Sequence, residues 1–182
     1  ASDNFEEETY LDMFIFQAGK KNNKAIYALE DLEESRYLTT KAAYNANKKE
    51  LDPWVQKLYA KENAYLIQEN LYRDRNLDLL DSIGSGVNTE FYRENMLYIR
   101  NENMVVSLEK LMPTKSVFAG VGAAHLPGEQ GMINMLRQRG YKVQSLTSEQ
   151  TDYSKTEKIK LDSLFVDPIL KQQQSPDGFM SL

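Results

Sequence analysis

The sequence predicts an α/β architecture, with βαβ units of buried parallel-type strands and long flanking helices. Two short uninterrupted apolar runs, residues 25–29 and 116–121, have the composition of strands covered on both faces. Residues 116–146 then read in order as strand, loop, helix and strand, a βαβ unit of ordinary length. Helical periodicity fills most of the chain between the two runs.

In order, Leu11, Phe14, Ile15 and Ala18 recur at helical spacing, predicting a first helix over 6–19 that Gly19 and the Lys/Asn run after it end. Ala25–Leu29 is the first expected strand, leaving Glu30 at its carboxyl end. Asp31 and Glu34 then read as a capping box opening a helix to about residue 45. Asp52-Pro53 is a second start signal, and Val55, Leu58, Tyr59 and Leu66 hold helical phase to about residue 75. Ile83-Gly84-Ser85-Gly86 reads as a break. From Asn88 a long helix is expected, with Phe91, Tyr98, Val105 and Met112 in one seven-residue series, stopped by Pro113. Ser116–Val121 is the second strand, 122–128 a loop, and 129–139 a helix with Gly140 just past its end. Residues 141–146 resume a strand.

Composition bounds the function. The 182 residues suit one ordinary domain or a large fragment of one. Lys plus Arg number 22 against 27 Asp plus Glu, a net charge of −5 without a basic block, so nucleic acid is not an expected partner. The longest uncharged stretch, Ser116 to Gly128, is too short and too broken by Gly and Pro to span a bilayer. With no cysteine, catalytic or metal chemistry must use carboxylates, hydroxyls and the single histidine. The start lacks the regions of a signal peptide and has no Met, as expected of a chain that has been processed or cut. Beyond residue 146 the composition turns polar, and 147–182 is expected to be a peripheral arm or linker, with only 159–170 able to pack.

Ligands of open α/β sheets bind at the carboxyl ends of strands, where Glu30 and His125 are expected to fall. His125 could simply fill a gap in a loop. Gly120, Gly122, Ala123 and Ala124 around it would let backbone approach a ligand, and an expected helix start behind it adds an anion-binding end. Glu30 reads equally as a solvated strand end. Asn101 lies at the centre of the stripe of Leu97, Tyr98, Met104, Val105 and Leu108, with Arg100 on its flank. Either Asn101 bonds nearby backbone while Arg100 reaches water, or the pair supports a site. Gly120-x-Gly122-x-x-His125 misses the dinucleotide fingerprint, because the third glycine is absent and no acid ends the next strand. His125-Leu-Pro-Gly-Glu129 is not a helical HExxH motif, since Pro127 and Gly128 interrupt it.

Ala25 to Ser35, Arg100-Asn101-x-x-Met104, and above all Val117 to Gly128 with Gly131, Leu136, Gly140-Tyr141 and Val143, resemble the TraB/GumN family, which includes the Tiki proteins. The resemblance spans about residues 10–146. It implies that 1–146 is the carboxyl-terminal part of such a domain, of a fold related to the erythromycin-esterase and ChaN-like proteins. It further implies a metal-dependent, peptidase-like hydrolase. The family's Glu, Arg-Asn and second Gly-x-x-His motifs map onto Glu30, Arg100, Asn101 and Gly122 to His125. The first Gly-x-x-His motif has no counterpart here and is expected upstream, so these 182 residues alone are expected to be inactive.

In that scheme His125 and Glu30 would hold a divalent ion (zinc, manganese or cobalt), Glu30 alternatively taking a proton from metal-bound water. Arg100 would orient Glu30 or stabilise an oxyanion, with Asn101 and Gly122 in binding roles. A peptide or small-molecule substrate, an extracytoplasmic setting (periplasmic, secreted or surface) and a bacterial source go with it. Homo-oligomerisation through uncovered strands is a further expectation. Two other classes remain open: a non-catalytic α/β module binding a small anion at the Gly120–Gly128 loop, and an interaction protein whose long helix pairs with a partner.

Overall fold

The computed structural model describes residues 11–146 and, beyond them, residues 152, 155, 156 and 159. The chain divides into two units, Ala1–Val143 and Gln144–Leu182. In the second, Lys155 pairs with Asp152 at 3.2 Å, and the expected arm over 147–182 otherwise lies outside the described residues.

The first unit is helical among the described residues, and the expected α/β fold is not found. Its elements are α1 (Leu11–Lys21), α2 (Leu32–Ala43), α3 (Pro53–Tyr59), α4 (Ala64–Arg73) and α5 (Leu77–Val87). There follow α6 (Glu90–Arg93), a π-helical turn (Glu94–Tyr98), α7 (Ile99–Leu111), a 3-10 turn (Ala123–His125) and α8 (Met132–Gln138). The one β-type contact described is an isolated antiparallel bridge, Asn47 to Asn88.

The runs 25–29, 116–121 and 141–146 form no strand. An apolar run specifies extended backbone only when a neighbour supplies the ladder, and no such neighbour stands beside these runs among the described residues. Ile26, Tyr27, Val117 and Phe118 are accordingly exposed. The first two runs nevertheless partly bury their last apolar residue: Leu29 and Val121 pack against the core of Met104, Val105, Leu108 and Met132, where α7 meets α8, whereas Leu146 at the end of the third is exposed. That contact carries Glu30 and Gly122, the next residues in each segment, to the same end of α7.

Local signals fared better. Asp31 Oδ1 accepts from the Glu34 N–H at 2.9 Å, capping α2 as expected. Pro53 opens α3, but the single helix expected to about residue 75 is two, because Asn63 caps a new start by accepting from the Tyr65 N–H at 2.8 Å. The expected break at 83–86 lies inside α5. Gly86 is there for space, since a Cβ would stand 2.4 Å from Val55 Cγ2. The helix expected over 129–139 starts at Met132, and Gly140 has φ +89°, the left-handed conformation expected beyond a helix end.

The long helix keeps its core stripe only beyond the π-helical turn. Met104, Val105 and Leu108 are buried, whereas Phe91 is 39% exposed and Arg93 6%. One extra residue rotates everything before it by about 100°, which turns Phe91 outward and Arg93 inward.

Candidate active site

Arg100 begins the outer rim of the site. Its Nε donates to Glu30 Oε1 at 2.7 Å and its Nη2 to Glu30 Oε2 at 2.8 Å, a two-pronged pair across 70 residues of sequence. Nη1 donates to the Met96 carbonyl at 3.1 Å, one turn back on the same helix. Both side chains are mostly covered, 16% and 19% exposed. Burial works to raise the Glu30 pKa, but the Arg100 hydrogen bonds and charge outweigh it and hold the carboxyl below its ordinary value. Glu30 is a fixed anion.

One residue on, Asn101 is almost fully buried, and its amide is used at both ends. Nδ2 donates to the Gln130 carbonyl at 2.7 Å, which leaves Oδ1 facing His125 Nδ1 at 2.6 Å. A carbonyl oxygen can only accept, so His125 carries its proton on Nδ1 and its Nε2 is left with a lone pair. Burial first, and then the Arg100 charge, lower the His125 pKa to about 4 against a smaller opposing pull from Glu30. The imidazole is therefore neutral at physiological pH.

The 3-10 turn that presents His125 is closed by its own N–H donating to the Gly122 carbonyl at 3.0 Å. A Cβ at Gly122 would meet His125 Cδ2 at 3.5 Å, ordinary contact, so space alone does not require glycine there. Gly131 is different. A Cβ there would lie 2.0 Å from the Pro127 oxygen, so glycine lets the loop fold back beneath α8. The expected anion-binding helix end does not sit behind His125, because α8 is short and begins seven residues later.

Glu30 thus meets Arg100, and His125 meets Asn101, at adjacent positions of α7. A second buried network was not foreseen. Arg93 Nη2 donates to Asp81 Oδ1 at 2.7 Å and its Nε to the Tyr98 hydroxyl at 2.6 Å. Burial opposes the Arg93 charge, yet Asp81 and Tyr98 more than offset it. Asp81 borders Gly128, where a Cβ would come within 2.8 Å of its Oδ2, so this pair braces the far end of the His125 loop. Arg93 and Tyr98 are five apart, a π-helical spacing invisible to a search at three and four. Asn95, buried in the same turn, donates to the Phe91 carbonyl while its Oδ1 has no partner.

A buried histidine held by an amide thus lies next to a carboxylate locked to an arginine, on a helical scaffold. The profile of the TraB/PrgY/gumN family matches residues 1–145, and the chain belongs to that family. It is similar to a protein named metalloprotease TIKI2 of Xenopus tropicalis, 39% identical over 64 residues, which is 34% of this chain and 12% of that protein. Metalloprotease TIKI1 of Danio rerio is 35% identical over 63 residues, 33% of this chain and 13% of that protein. The chain thus spans only about an eighth of the length of the curated relatives it matches. No solved structure matches it significantly.

The names of these relatives point to a metal ion, and the donors present here can be tested for one. His125 fits as a ligand, with a neutral ring and an unprotonated Nε2. Glu30 fits less well, since both oxygens already serve Arg100. Among the described residues no three His, Asp or Glu side chains gather as an ion requires. The described residues alone do not make a metal centre. No described helix is long and apolar enough to cross a membrane.

Proposed function

We propose that this chain supplies part of the active site of a metal-dependent hydrolase of peptides. In this reading the ion is held by His125 together with residues beyond those described, a Gly-x-x-His segment among them. The observation that carries it is the His125–Asn101–Gln130 relay. A buried histidine needs only one hydrogen bond to be content in a core, but an amide anchored on both sides fixes its tautomer and aims its other nitrogen as a ligand.

Of the two roles open to Arg100, positioning Glu30 is the better supported. All three of its nitrogens donate within the fold, and the pair is a rigid fork rather than a cation waiting for an oxyanion. Glu30, kept ionised, supplies fixed negative charge beside the imidazole and an acceptor for a substrate N–H or a water proton. Relatives carrying the name metalloprotease favour a peptide as the substrate.

Calorimetric titration of the 182-residue chain with zinc, cobalt and manganese tests the reading. Weak binding that His125→Ala removes is expected, because one imidazole is too few ligands for tight binding. Submicromolar binding that survives His125→Ala would overturn it. In a protein that also carries a Gly-x-x-His segment, Glu30→Gln and Arg100→Met should each lower peptide hydrolysis at least a hundredfold with the fold intact.

A further inference from the structure

His125 stands on a 3-10 turn of three residues, too short to fix its own direction, so the ring points where the surroundings of the turn set it. Both α5 and the π-helical turn pack against it. One buried side chain ties those two elements together. Arg93, 6% exposed, donates from Nη2 to Asp81 Oδ1 and from Nη1, at 3.3 Å, to the Asp81 carbonyl, both on α5. Its Nε donates to the Tyr98 hydroxyl at the end of the π-helical turn.

Asp81 also reaches the loop itself. Gly128, three residues past His125, has φ +87°, and its backbone lies so near the carboxylate that a Cβ there would stand 2.8 Å from Oδ2. The loop on either side is tightly tied, the Leu126 N–H donating to the Ala123 carbonyl at 3.1 Å and the Gly131 N–H to the Gly128 carbonyl at 3.1 Å. A shift of Asp81 is therefore passed to His125 through a short, stiff stretch of backbone.

Stability alone does not call for such a pair. Desolvation offsets much of the attraction within a buried ion pair, and apolar residues of similar volume hold two elements together as well or better. What they lack is direction, which a planar guanidinium bonded to three acceptors supplies. We propose that Arg93, Asp81 and Tyr98 are positioning residues that aim the His125 ring by locking α5 to the π-helical turn. The extra residue of that turn then has a use, since it is what brings Arg93 inward. The purpose of aiming the ring rests on the hydrolase reading, whereas the restraint itself rests on the contacts alone.

The long-range proton–nitrogen spectrum of the ring, taken on the metal-free 182-residue chain, is a readout that a merely structural pair would not move. The unaltered chain should show the Nδ1–H tautomer alone. Asp81→Asn and Tyr98→Phe keep the side-chain shapes, and each should admit an Nε2–H form to about a tenth of the population or more, because the ring is no longer held squarely against Asn101. Arg93→Met combined with Asp81→Leu removes both charges, and should recover the stability lost in Arg93→Met without recovering the single tautomer. Val55→Ala, which opens a cavity against α3, should lower stability and leave one tautomer. A single Nδ1–H form in both shape-keeping variants and in the double variant overturns the proposal. So does a second form in Val55→Ala, since the ring would then follow stability in general. Absence of His125-dependent metal binding would remove the hydrolase reading and leave this result standing.

Discussion

His125 Nδ1 and Asn101 Oδ1 meet at 2.6 Å in a buried setting, and the Asn101 amide nitrogen is spent on the Gln130 carbonyl. Rotation of the amide would set Oδ1 against the Gln130 carbonyl, two acceptors, so the amide stays as it is and its oxygen holds the proton on Nδ1. The chain has one histidine, and the long-range proton–nitrogen spectrum of its ring is therefore unambiguous. It should show the Nδ1–H tautomer. Asn101→Leu should release it and cost about 1 to 3 kcal/mol, since it leaves a buried donor and a carbonyl unpaired. An unchanged tautomer together with unchanged stability would mean that the amide only fills space.

Acid should destabilise the metal-free protein earlier than its carboxylates would. The folded His125 takes up a proton only near pH 4, against 6.5 as the ordinary value, with burial as the first cause. Between those values the unfolded chain binds more protons, so stability falls as pH drops from 6.5 toward 4. The integrated loss is at most about 3 kcal/mol, less where solvent reaches the ring. Glu30 acts in the same direction but lower, its stabilisation being present above 4.5 and lost as pH falls through its depressed folded value. Urea unfolding at pH 7.5, 6.0 and 5.0 measures this, and His125→Gln should flatten the upper part of the profile. A wild-type profile flat from 7.5 to 5.0 would show that the imidazole is not held neutral.

The site was more legible than the fold because its clues are local or singular. A lone histidine among small residues and an Asn on an apolar stripe stand out without knowledge of neighbours, whereas Glu30 was singled out only by the family resemblance. Glu30 does meet Arg100, and His125 does meet Asn101. The expected strands failed because apolar runs such as 25–29 say nothing about which backbone would pair with them. Phe91 was misplaced for another reason: a π-helical turn is one uncounted residue, and it turns the face before it by about 100°. Gly86 was misread because close helix contact and chain breaking both select glycine.

Arg100→Lys keeps the charge beside Glu30 but not the fork, since a single ammonium cannot reproduce the two parallel bonds at 2.7 and 2.8 Å. The Glu30 pKa should rise back toward its ordinary value, and stability should fall by about 1 kcal/mol. Carbon-detected titration of the Glu30 carboxyl together with chemical denaturation checks both. If neither moves, the fork adds nothing beyond its charge, and Arg100 loses its positioning role.

Two glycines of α5 give opposite expectations from the same substitution. In a helix interior Ala is preferred to Gly by about 1 kcal/mol, so propensity alone favours Gly→Ala at either place. At Gly84 the new Cβ would lie 3.4 Å from Arg93 Nη1, a contact that a small side-chain shift relieves. Gly84→Ala should therefore be neutral or stabilising. At Gly86 the Cβ would fall 2.4 Å from Val55 Cγ2, and Val55 is fully buried with nowhere to retreat. Overpacking of that kind costs about 1 to 3 kcal/mol, enough to outweigh the helical gain and push α3 away from α5. Gly86→Ala should lower the unfolding midpoint, and pairing it with Val55→Ala should recover part of the loss by opening the space. Thermal unfolding of Gly84→Ala, Gly86→Ala, Val55→Ala and the Gly86→Ala/Val55→Ala pair measures the coupling. If Gly86→Ala proved as benign as Gly84→Ala, the close approach of α3 to α5 would not be what keeps glycine there.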